Sequence, residues 1–136
     1  MRRFLIACLF LWPGVLAAQD SLFTSYEDYE TYVNKHMMSR DFIPLILRMG
    51  GRDEHTQEQL AGFQRQFDGI YRRDLENTAF FKKVKLSDQF EQEARVFWVN
   101  STTYIYYYAL LHHRGTEVVV MEFLINSSPK PILDRF

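Results

Sequence analysis

Two hydrophobic periods divide the chain. Between about residues 25 and 73 apolar side chains recur at helical spacing, and from Thr78 onward they alternate with polar ones. Ser25 with Asp28 resembles a capping box that opens a helix running to about Lys35, with Tyr26, Tyr29, Val33 and Met37 as its apolar stripe. Asp41 is placed to cap a second, short helix whose first turn tolerates Pro44. Phe42, Leu45, Ile46 and Met49 follow i, i+3, i+4, i+7 in that helix. Gly50-Gly51 ends it, because glycine reaches the left-handed conformation a helix terminus favours. Thr56 and Gln59 make a second capping box, ahead of a third helix to about Arg73 faced by Leu60, Phe63, Phe67 and Ile70.

Strands are predicted at 79–86, 90–99, 104–113 and 116–126, the last two rich in β-branched and aromatic residues. Arg114-Gly115 suits a two-residue hairpin turn, and Ser101-Thr102 the turn before it. The expected fold class is α+β, with three N-terminal helices packed on one face of a curved four-stranded antiparallel meander. Residues 19–128 form one domain, and the tail 129–136, with Pro129 and Pro131, leaves the sheet and lies over the surface. This layout resembles the nuclear transport factor 2-like superfamily, a cone-shaped α+β roll. The resemblance implies a superfamily that hosts cyclases, isomerases and dehydratases alongside catalytically inert binding domains. Fold alone selects none of these.

The first 18 residues change the picture most. Arg2-Arg3, the apolar run Phe4–Leu11, the Pro13-Gly14 break and Val15-Leu16-Ala17-Ala18 have the layout of a secretory signal peptide, cut after Ala17 or Ala18. The run is shorter than the roughly 20 apolar residues that cross a bilayer. The expectation is an exported protein, periplasmic or secreted, with no stable membrane anchor once the signal is removed. Cys8, the single cysteine, leaves with the signal, so the mature chain has no disulfide and no thiolate. Packing must then hold it together, and ten of the twelve Phe together with all eight Tyr, which lie beyond the leader, make that feasible. Without Arg2 and Arg3 the mature net charge is about −3, and no basic stripe points to nucleic acid. Lys82, Lys83 and Lys85 fit a solvated edge strand that discourages aggregation.

The two turns assign side chains to faces. They pair Trp98 with Ile105, Tyr107 with Glu122 and Leu111 with Val118. The core face then carries Trp98, Val96, Ala94, Ile105, Tyr107, Ala109, Leu111, Val118, Val120 and Leu124, with Glu122 nearly alone among them. A carboxylate in such surroundings loses solvation and its pKa rises. Glu122, with Tyr107 across from it and Trp98 as a wall, is therefore the candidate site. It is open to a structural role, to binding a small apolar ligand, or to catalysis of the cyclase or isomerase type. The opposite face carries Tyr104, Tyr106, Tyr108, Phe97 and Phe123 with several charges, and is the candidate surface for a homodimer or a protein partner. His112 and His113 point to opposite faces and cannot share a metal, and His112 sits opposite Glu117 with Glu91 beyond. No cofactor or metal is expected. The leading expectation is an exported, non-enzymatic module that binds a partner or itself, and the alternative is a small-ligand pocket using Glu122.

Overall fold

The computed structural model describes residues 20–136; the signal-peptide reading lies outside the described residues. The elements in chain order are β1 (Leu22–Phe23), α1 (Tyr26–Met38), α2 (Phe42–Arg48), a 3₁₀ turn (Gly51–Asp53), α3 (Gln57–Ile70), β2 (Asn77–Lys85), β3 (Phe90–Val99), β4 (Thr103–Arg114), β5 (Glu117–Asn126) and α4 (Pro129–Leu133). The α+β class holds, but the sheet has five strands rather than four, in the order β1-β5-β4-β3-β2, all antiparallel and open. A fourth helix, α4, follows the sheet where a plain tail was expected.

Caps explain the helix starts. The Ser25 hydroxyl accepts the N–H of Asp28, and Glu27 and Asp28 sit in the first turn of α1, where negative charge is favoured. Thr56 and Gln59 form the full reciprocal capping box of α3. Asp41 makes no side-chain cap; instead Gln64 of α3 accepts the Phe42 N–H at 3.1 Å and donates to the Arg40 carbonyl at 2.9 Å. That bond ties α3 to the α1–α2 turn. Gly50 takes φ +111°, and a Cβ there would stand 2.5 Å from Ser21 Oγ. Ser21 in turn bonds the end of α2 through Arg48 O and Met49 O and leads into β1.

Register departs from expectation in two ways. The β3–β4 turn is a three-residue loop, Asn100 to Thr102, closed by Val99 opposite Thr103. Asn100 adopts φ +55°, and its side-chain oxygen accepts the N–H of Thr102 and of Thr103. Asparagine tolerates this left-handed geometry and closes such turns through its own side chain. The loop is one residue longer than the Ser101-Thr102 turn, so every β3 side chain changes face. The β4–β5 turn is Gly115-Thr116, with Arg114 opposite Glu117. That displacement alone preserves the faces, but pairing jumps from Leu111 opposite Val120 to Leu110 opposite Glu122. Met121 is the extra residue of a β-bulge, and beyond it the side chains of β5 exchange faces.

The helix-covered face therefore reads Glu93, Arg95, Phe97 and Val99 from β3, Ile105, Tyr107, Ala109 and Leu111 from β4, and Val118, Val120, Phe123 and Ile125 from β5. All but the two charged residues belong to the main core, with α1, α2 and Leu60 of α3. Phe97 is thus a core residue and Phe123 packs, partly buried, against the core; neither belongs to the outer surface. Trp98, Val96, Ala94, Leu124 and Glu122 are on the outer face, not in the main core under the helices.

Candidate functional site

The inner face holds two chemically different regions. Under α1, Glu93 is 0% and Arg95 3% exposed. These residues stand two apart on β3, so they share a face, and Arg95 Nε donates to Glu93 Oε1 at 3.1 Å. Tyr26 and Tyr29, on one side of α1, donate to the two Glu93 oxygens at 2.7 and 2.8 Å. Arg95 also donates to Tyr26 at 2.8 Å and to Glu30 at 3.0 Å, and its guanidinium lies 4.3 Å from the centre of the Phe80 ring. The Tyr107 hydroxyl, 3.1 Å from that of Tyr29, donates to Met49 Sδ at 3.3 Å.

Burial raises the pKa of Tyr29, Tyr26 and Tyr107, with Glu93 adding to each. Burial alone would lower that of Arg95, but Glu93 reverses the sign and holds it charged. Every polar atom here has a protein partner, as a buried charge pair requires. Neither of the described cavities is lined by Glu93 or Arg95. The network is built for rigidity.

Under α3 the sheet is left partly uncovered. Leu60 is the one fully buried residue of this helix, and Ile70 is 50% exposed. Phe67 meets Phe42 at a tilt with ring centres 4.7 Å apart, and Phe63 meets His55 edge-on at 5.3 Å. Between α3 and the end of β5 lies a groove of about 370 Å³. Its apolar lining is Ile46, Phe63, Phe67, Ile70, Phe123, Leu124 and Ile125; Glu54, His55, Gln66, Asn126 and Ser127 supply polar groups. A second hollow of about 440 Å³ lies by Ile43, Leu47, Arg52 and Leu60, and His55 lines both.

The residues singled out from sequence are not brought together. Tyr107 is buried in the α1 network, with Arg95 opposite it on β3 and Ile125, not Glu122, opposite it on β5. Trp98 stacks on Tyr104 on the outer face, with ring centres 6.4 Å apart. The Glu122 side chain is 41% exposed and ion-paired with Arg135. The stranded carboxylate of the core is Glu93, two strands' pairing away.

Of the outer-face candidates, Tyr106 and Tyr108 join a small cluster with Ala94, Leu110, Leu124, Ile132 and Phe136. Here α4 lies on the sheet, with Phe136 edge-on to Tyr108 and Gln92 donating to Arg135 O. Tyr104 is exposed beside this patch. His112 stacks on Phe90, Glu117 pairs with Arg114, and it is His113 that lies 3.8 Å from Glu91. The groove went unseen because Phe63, Phe67 and Ile70 have the spacing of a core stripe. Helical spacing by itself does not separate a groove wall from a packed core. No family model, curated protein or solved structure matches the chain. The resemblance to the nuclear transport factor 2-like superfamily rests on layout.

Proposed function

We propose that this chain is an exported binding module that holds one small, mostly apolar molecule in the groove between α3 and β5. The observation carrying this reading is the groove itself, about 370 Å³ walled by three phenylalanines and three isoleucines. Small-molecule sites typically enclose about 300–1,000 Å³ behind apolar walls with a few polar groups, and this one fits. Export rests on the arginine-led apolar leader of residues 1–18. The test is uptake of a neutral naphthylamine fluorophore by protein expressed with its own leader. Ile70→Glu places a charge in the groove at a half-exposed position and should abolish uptake. Leu133→Glu, on α4 and also exposed, should leave it intact. Equal uptake by the Ile70 variant and the parent would end this reading.

A second reading concerns the outer face. Phe81, ringed against Tyr106 at 5.3 Å, and Tyr104 remain exposed beyond the reach of α4. Such a strip suits pairing with a second copy or a protein partner. Light scattering at tens of micromolar tests self-pairing, and a strict monomer removes it.

A further inference from the structure

The polar groups of the groove are unequal in sign, and this determines which head group its occupant carries; the inference rests on the groove being a ligand site. Glu54 is the one carboxylate among the lining residues, and no lysine or arginine lines the groove. Arg52, close by in the chain, is already paired with Asp20 at 2.5 Å. Among the described residues the Glu54 carboxylate has no ion-pair or hydrogen-bond partner. The remaining polar lining, from His55, Gln66, Asn126 and Ser127, is uncharged or able to serve as either donor or acceptor. Glu54 directly precedes the His55-Thr56 start of α3, while Ile70 closes its other end. The groove thus has an acid towards one end of α3 and an apolar lip at the other.

We infer that the groove selects amphiphiles with a cationic head, an alkylamine or alkylammonium, over anionic molecules with the same apolar body. An ammonium beside Glu54 gains a partner that the protein itself does not supply. A carboxylate there meets a like charge with no lysine or arginine in the lining to offset it. Exposed ion pairs contribute modestly, so the spread between amine and acid should be about tenfold in affinity.

The experiment displaces the bound neutral naphthylamine probe with decylammonium, decanol and decanoate, each below its micelle concentration. The expected order of affinity is amine, alcohol, acid, with a spread that shrinks at high salt. Glu54→Gln should close the gap between amine and acid and leave decanol unchanged. Glu58→Gln removes an exposed acid of α3 that does not line the groove, and should keep the gap, separating local charge from net charge. Equal displacement by amine and acid, a reversed order, or a gap that survives Glu54→Gln would overturn the inference. If the probe and decanol bind while any of these holds, the ligand site stands and only its charge preference fails. If the native chain takes up neither, both readings fall together.

Discussion

Helices α1 and α3 are of nearly equal length, 13 and 14 residues, both are capped at their N-termini, and both lie against the same face of one sheet. They are used in opposite ways. Tyr29, Val33 and Met37 of α1 are all 0% exposed, and the tyrosines reach into a saturated charge network. On α3 the phenylalanines are half-buried and space remains beneath them. The lesson is that an amphipathic stripe specifies which side of a helix faces the sheet, not how closely the helix approaches it. Closeness depends on what the sheet presents. Under α1 it offers a buried ion pair that requires hydrogen-bond donors. Under α3 it offers rings and aliphatic side chains that tolerate a gap.

The largest break in this contrast should come from Arg95→Leu. It leaves the Glu93 charge buried without its cation, a change that typically costs about 3–5 kcal/mol. Urea unfolding should show that loss, and a cost under about 1 kcal/mol would mean the network is not the anchor described. Alkaline pH attacks the same region. Burial raises the pKa of Tyr26, Tyr29 and Tyr107 above the ordinary value near 10, and that of Tyr71 to about 12. Above pH 10 the unfolded chain releases phenolic protons that the folded chain keeps. The tyrosine contribution, complete below pH 10, is therefore lost as pH rises, through about 12 for Tyr71 and beyond it for the other three. Phenolate absorbance beyond that of exposed tyrosines such as Tyr104 should rise together with loss of ellipticity; titration of these four rings well before unfolding would contradict their burial.

A paired truncation sharpens the comparison. Met37→Ala on α1 should cost about 2–5 kcal/mol, as for a filled core position. Phe67→Ala on α3 should cost less than the roughly 3–5 kcal/mol usual for a fully packed phenylalanine, because the ring already borders a void. Parity between the α3 variant and a typical core phenylalanine would count against the groove. The smallest effect is a gain. A Cβ at Gly69 meets nothing within 4 Å, so Gly69→Ala should stabilise by about 0.4–1 kcal/mol in thermal melts.

Local chemistry was well legible in the sequence, and long-range register was not. The Thr56–Gln59 box, the Ser25 cap and the inner residues of β4 all match expectation, because each depends on neighbours within a few positions. The face of β3 was misread because Asn100 made the loop one residue longer than the Ser101-Thr102 turn. Burying Trp98, Val96 and Ala94 looked better than burying Glu93 and Arg95. That preference fails because α1 brings two phenol donors to the carboxylate, a partnership 64 to 67 residues apart in sequence. Strand β1 was missed since two residues carry no period. The tail was expected on the surface, but not the helical turn that seats Ile132 in the outer cluster.

The Met121 bulge has an evolutionary corollary. Phe123 and Ile125 wall the groove because this one residue is left out of the pairing of β5 with β4. An in-frame loss of that single codon would heal the ladder, leaving Val120 opposite Leu111 and Glu122 opposite Leu110, with both rear-wall side chains still turned towards α3. The cavity wall thus tolerates that deletion; it would be lost if Met121 stayed and paired regularly with Leu110, which would turn Glu122 and Leu124 towards α3 instead.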